Sequence, residues 1–313
     1  MTSFIRTVSG DVPADGLAAC SAHEHIIIDS PHVADCFPDF RLDDVDAACV
    51  DGRAFADAGG GWVVDTMPGE AGRHAEKLRR FSEASGVHVV ASTGLHLPQY
   101  YVASEPITRL NREGLADLFF REVTEKLPES DNSRAGVIKV AGSRDRLTDH
   151  QRDAFAAAGE VAAATGCPII THTERGTAGM EQVEILTTAG ASAGQIVLSH
   201  TDALPDVAYH RELLGTGVTL EYDQHFRTLR TLGTCPTLDL IEQLLPEFPE
   251  QIVVGMDMAR RRYWQGHGKS PGLAWLVTEL PRLLSERGVD SHGVDRILRL
   301  NPAEVFAFKE PSP

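Results

Sequence analysis

The sequence predicts a (β/α)8 barrel. Eight short apolar runs recur along its 313 residues, helix-forming stretches separate them, and metal-ligand side chains stand at or near the ends of five of the runs. The runs cover residues 17–28, 60–65, 87–93, 136–143, 168–174, 195–202, 217–223 and 251–257. Each is continuously apolar rather than alternating, as strands of a parallel sheet covered on both faces require. Between them, residues 71–85, 149–165, 179–189, 209–215, 238–245 and 273–287 carry apolar side chains at three- and four-residue spacing, the mark of helices with one buried face. Asn301, Pro302 and Glu304 predict a last helix with Asn as N-cap and Pro at its first position.

The spacing of the units, roughly 20 to 50 residues, is too uneven for a solenoid repeat. The length exceeds the ~250 residues typical of one such barrel and leaves room for loop insertions, so residues 1–313 are expected to form a single domain. Residues 98–108, 128–134 and 227–236 are the weakly structured stretches, expected as loops over the barrel mouth.

Composition narrows the surroundings. A formal net charge of −16 and a pI near 5.2 argue against nucleic acid, whose phosphates are bound by clustered Lys and Arg. No run approaches the ~18 apolar residues that cross a bilayer, and the first residues lack the basic start and apolar centre of a signal peptide. A cytoplasmic protein acting on a small molecule, without membrane or nucleic-acid partner, is expected. The five cysteines (Cys20, Cys36, Cys49, Cys167, Cys235) are odd in number and lack CxxC spacing, which indicates neither a disulfide framework nor a thiolate zinc site.

The chemistry sits at the strand ends. His23 and His25, two residues apart, face one side of a strand and offer two imidazoles to one ion. Lys139 lies inside a β-branched run, where an unpaired ammonium is costly to bury. His172 and His200 each end a run and are each followed within two residues by an acid, and Asp257 ends the last run. Imidazole suits Zn2+, Mn2+ or Co2+.

This set, His23 and His25 on the first strand, Lys139 on the fourth, His172 on the fifth, His200 on the sixth and Asp257 on the eighth, resembles the phosphotriesterase-like branch of the amidohydrolase superfamily across nearly the whole chain. Within that branch, Ser3-Phe4-Ile5-Arg6-Thr7, residues 172–177, 181–186 and 268–273, and Asp257-Met258-Ala259-Arg260-Arg261 look most like enzymes that open phosphorylated sugar lactones. The resemblance implies two divalent ions, Zn2+ foremost. His23, His25 and Asp257 would hold the more buried ion, His172 and His200 the more exposed one, and a carbamate on Lys139 would bridge them. A hydroxide shared by two cations would attack the lactone carbonyl, with Asp257 as proton acceptor and donor. A homodimer would fit related barrels.

Substrate choice falls to the loops. Arginine grips phosphate through paired hydrogen bonds, and the loop after the last strand of such barrels commonly makes a phosphate site. By resemblance, Arg260 and Tyr263 would contact the substrate phosphate. A lysine of that group on the loop after strand seven is replaced here by Leu229, with Arg227 and Arg230 close by, and Arg227 would take the lysine's place in gripping the substrate's anion. His96 and Tyr100, after strand three, are further candidates for substrate contact. Asp202, Glu174 and His225 would orient ligands, bind sugar hydroxyls or cap helices. A promiscuous phosphotriesterase, carboxylesterase or N-acyl hydrolase on the same metals, and a non-catalytic ligand-binding barrel, are the other functions compatible with the sequence.

Overall fold

The computed structural model describes residues 3–310. A hairpin of β1 (Phe4–Thr7) and β2 (Gly10–Pro13) leads into eight strands: β3 (Ala19–Glu24), β4 (Gly60–Asp65), β5 (His88–Leu95), β6 (Val137–Gly142), β7 (Ile169–Thr173), β8 (Ile196–Ser199), β9 (Thr219–Tyr222) and β10 (Ile252–Val254). The eight are parallel and pair in chain order. Each coincides with one of the predicted runs. The ring closes through polar contacts. The backbone N–H groups of Met256 and Asp257 donate to the His23 carbonyl at 3.3 and 2.9 Å, and those of Met256 and Met258 donate to the buried Glu24 carboxylate at 3.2 and 3.1 Å.

Inside the barrel, chemistry changes along the axis. Near the N-terminal ends, Cys20, Ala22, Trp62, Val64, Val90, Val137, Ile170, Val197 and Val253 pack with Ile5, Ala14 and Phe306 into an apolar plug. Side chains alternate faces, so two residues further on the inward positions become Lys139 after Val137, His172 after Ile170 and Glu221 after Thr219. The plug supports a polar layer at the C-terminal mouth, where such barrels place their sites. The hairpin, unforeseen from the sequence, is part of the floor: Val8 N–H donates to Val89 O at 2.8 Å and Phe308 N–H to Phe4 O at 3.0 Å.

All six predicted inner helices are present, as Ala75–Ser85, Asp149–Thr165, Gly179–Thr188, Val207–Leu214, Pro236–Leu244 and Trp275–Glu286. Val45–Asp57 and Arg112–Thr124 are additional; Leu115, Phe119 and Val123 bury one face of the latter. Among the described residues no helix is long and apolar enough to cross a membrane.

Three local expectations are corrected. Much of 227–236 is helix rather than loop: His225–Leu232 is capped by Gly233 in the left-handed region and buries Phe226, while Thr228 and Thr231 return their hydroxyls to the carbonyls four residues back. Residues 128–134 lie on the flank rather than over the mouth, held by Ser130 to Glu76 at 2.7 Å and by Ser133 to Val8 O at 2.8 Å. Asn301 caps nothing. Leu300 before it is already helical, and the Asn301 amide instead donates to Pro249 O and Ile252 O, both at 2.9 Å, tying the last helix to β10.

Candidate metal centre

The six expected ligands meet at the mouth. Ring centroids of His23 and His25 stand 5.5 Å apart, those of His23 and His200 4.5 Å, and those of His172 and His200 4.6 Å. His25 Nε2 lies 3.2 Å from Asp257 Oδ1. Lys139 is fully buried beneath them, and among the described residues its Nζ donates only to Thr171 O, at 3.3 Å.

Local backbone aims these groups. His172 is still on its strand, whereas His200 and Asp257 follow theirs with φ of 62° and 45°, left-handed conformations that β-carbon sterics disfavour. Such strain is tolerated where surrounding contacts over-determine it. Asp257 has one through its N–H to His23 O, and His200 has one through its N–H to Glu221 Oε2 at 3.3 Å. Gly94, at φ 130°, lets β5 approach β6; a β-carbon there would sit 1.7 Å from the Lys139 carbonyl.

Burial sets the protonation states. It pushes His23 well below the ordinary imidazole value and His172 down to about 4, the latter against the pull of Glu174, so both rings are neutral at pH 7 as metal ligands must be. Burial likewise pushes the Lys139 ammonium down to about 8, opposed by Asp257, Glu221 and Asp223. Asp257 would be pushed up by burial, but Arg227 and His25 hold it well below the usual carboxylate range.

The donor set fits divalent ions. His23, His25 and Asp257 offer three ligand atoms within 4.8 Å of one another, and His23, His200, Glu221 and Asp223 offer four. Among the described residues, Nδ1 of His23 and of His25 and Oε1 of Glu221 are buried without a hydrogen-bond partner, a costly arrangement for buried polar atoms. The first group matches the expected buried-ion set. The second does not pair His172 with His200; it adds two acids from the β9 side.

The substrate candidates divide. His96 lies beside the centre, 5.5 Å from the His172 ring, and its Nδ1 accepts from Leu97 N–H at 2.7 Å, which fixes Nε2–H as a donor. Tyr100 packs edge-on to His96 at 4.5 Å and joins Phe37 and Phe40 in an aromatic cluster. Arg260 lies over the Phe40 ring at 4.5 Å, 3.9 Å from Asp39, and Asp39 is also engaged by Arg262 at 2.8 Å. Tyr263 packs edge-on against Phe226 at 5.1 Å. Arg227 points inward, donating to Asp257 Oδ2 at 3.0 Å and Asp223 Oδ1 at 2.6 Å. It is committed to those two acids rather than displayed to a ligand.

Of the three residues with open roles, Glu174 accepts from His172 Nε2 at 2.9 Å. Asp202 accepts from the backbone of Asp223 and Gln224 and from Thr237. His225 is structural: it donates to Gly255 O and stacks on Trp275 at 5.0 Å.

Sequence reasoning missed four acids. Glu24 and Asp65 are buried supports: Glu24, pushed up by burial to about 8, closes the barrel, and Asp65, pushed up to about 6, accepts the N–H of Ile26 and Ile27 just after His25. Asp223 accepts from His200 Nδ1, and Glu221 lies under both His23 and His200. An acid inside a continuous apolar run was the available signal for Glu221, the same signal that marked Lys139.

The chain is similar to known proteins in sequence and in fold. The sequence profile of the Phosphotriesterase family matches residues 3–306. A phospho-furanose lactonase of Mycoplasmopsis agalactiae is 29% identical over 326 residues, spanning 98% of this chain and 92% of its own. An N-acetyltaurine hydrolase of Tetraodon nigroviridis is 31% identical over 274 residues, spanning 82% of this chain and 76% of its own. The crystal structure of a lactonase from Listeria monocytogenes superposes with a TM-score of 0.92 at 27% identity, over 98% of this chain and 100% of that one.

Proposed function

The chain belongs to the phosphotriesterase family, and on that footing we propose that it is a metal-dependent hydrolase that opens lactones, its substrate a phosphorylated or otherwise anionic sugar lactone. The observation that carries the reading is the cluster of four histidines and Asp257 around a buried lysine whose ammonium is pushed down to about 8 by burial, with an arginine-bearing loop at its rim.

His23, His25 and Asp257 would hold one ion and His172 and His200 the other. Lys139 would bridge them as a carbamate. Carbamate formation needs the free amine to attack carbon dioxide, forming an N–C bond and releasing a proton. A lysine pushed down to about 8 holds a useful fraction of free amine near neutrality, and the negative product removes the conflict of an ammonium in an apolar strand. When bound, the ions supply a water of lowered pKa and a Lewis acid for the carbonyl.

The protein's own groups do the rest. Asp257, kept ionised by Arg227 and His25, is ready to accept a proton from the attacking water and return it to the departing ring oxygen. His96, its tautomer set by Leu97 N–H, offers Nε2–H to a substrate oxygen. The aromatic cluster of Phe37, Phe40 and Tyr100 gives the mouth an apolar wall that limits water. Arg260 and Tyr263 would take the substrate's anionic group.

The similarity to an N-acetyltaurine hydrolase supports a second reading, cleavage of an N-acyl bond in an anionic amide, on the same centre. Acid release from matched lactones with and without a terminal phosphate, run beside N-acetyltaurine, tests the choice. A phosphorylated lactone should be opened with kcat/KM at least about tenfold above its neutral counterpart, the scale of one charge-assisted contact. Turnover of the amide with no lactone opened would replace the first reading by the second.

A further inference from the structure

The ion partition drawn above takes no ligand from β9, yet that side of the barrel sends two buried acids into the same space. Asp223 accepts from His200 Nδ1. Glu221, inaccessible to solvent, places Oε2 3.3 Å from His200 N and 3.5 Å from His23 Nδ1, while its Oε1 has no hydrogen-bond partner. His23 Nδ1 likewise has none.

The end of the neighbouring strand β10 is hollowed for this carboxylate. At Gly255 a β-carbon would come within 2.8 Å of Glu221 Oε1 and 2.6 Å of His23 N, so any larger residue would displace both. A buried acid with an unsatisfied oxygen is destabilising by roughly 1–3 kcal/mol. Packing alone has no use for it, since a leucine would fill the same space.

We propose that Glu221 is a positioning residue for His23: it accepts a hydrogen bond from Nδ1–H of that ring and so fixes the tautomer that leaves Nε2 free as a lone-pair donor, as Asp223 does for His200. At 3.5 Å the pair stands just outside good hydrogen-bond range, and a small shift of either side chain closes it. Carboxylates that orient ligand imidazoles in this way strengthen metal affinity. The inference rests on the two-ion reading and deepens it.

The test is uptake of Zn2+ by competition with a chromogenic chelator, on wild type, Glu221→Gln and Glu221→Leu, with thermal unfolding of each metal-free protein alongside. The Gln amide oxygen still accepts from an imidazole N–H, so Glu221→Gln should bind within about threefold of wild type. Glu221→Leu should lose affinity for one ion by roughly 10–100-fold, the usual cost of removing such a partner, without a lower Tm in the metal-free state. If Glu221→Leu does not fold, Glu221→Ala is read the same way. Two ions in wild type with unchanged affinity in the apolar variant, or a loss in Glu221→Gln equal to that in Glu221→Leu, overturns the inference alone. Wild-type protein that takes up no ion overturns the two-ion reading and this inference with it.

Discussion

Replacing Lys139 by Met should make the metal-free protein more stable while leaving it unable to hold its ions. The Lys139 ammonium is fully buried, has a single carbonyl partner, and is pushed from 10.5 down to about 8 by burial. At about 1.4 kcal/mol per pKa unit, that shift is a cost of about 3 kcal/mol to the folded state wherever the group is charged in both states. Met keeps the stem's volume without the charge, and losing the bond to Thr171 O returns roughly 1 kcal/mol of the gain. A net stabilisation of about 2 kcal/mol is expected at pH 7. The assay is urea unfolding of chelator-treated protein under carbon-dioxide-free gas, followed by fluorescence of the buried Trp62 and Trp264. The pH dependence carries its own sign. Below about 8 folded and unfolded chains are both protonated and the whole cost is present. Between about 8 and 10.5 only the unfolded chain keeps the proton, so wild-type stability climbs with pH through that window and the variant's does not. A less stable variant at pH 7, or a wild type whose stability is flat between pH 8 and 10.5, would refute the buried-ammonium argument.

Other perturbations probe the rim and the scaffold. Arg260→Ala should raise KM about tenfold for a phosphorylated lactone and leave a neutral one unchanged, whereas Asp39→Asn, which frees Arg260 and Arg262 from a half-exposed competitor, should lower the same KM about threefold, in keeping with the ~0.2–1 kcal/mol of such pairs; steady-state kinetics on the two substrates decide both. Gly94→Ala should destabilise by roughly 3 kcal/mol or more, because a strained φ is compounded by a β-carbon inside the Lys139 carbonyl, and unfolding together with Zn2+ content should show both stability and ion binding reduced.

The fold was legible because its signal is local and repeated. A strand such as Val137–Gly142, buried on both faces, must be apolar throughout, so Lys139 stands out within it as a group that needs a reason. Histidines at strand ends were legible for the same cause. What the sequence hid depends on contacts remote along the chain. Glu24 reads as a spacer between two histidines until Met256 and Met258 bring their N–H groups to it. Asn301 reads as a cap until Pro249 and Ile252 offer it carbonyls. Arg227 reads as an anion gripper until Asp257 and Asp223 flank it. The left-handed turns at His200 and Asp257 fall on residue types that adopt them more readily than most non-glycine residues but still too rarely for a local rule to announce them. Helix Arg112–Thr124, which was not among the expected helices, is a different case: Leu115, Phe119 and Val123 at four-residue spacing carry its signal in the sequence.

The most direct test of the central claim is elemental analysis of catalytically active protein produced with added Zn2+ or Mn2+. Two ions per chain are expected, held by His23, His25, Asp257, His172 and His200 around a modified Lys139. Active protein with a metal content near zero would contradict the account.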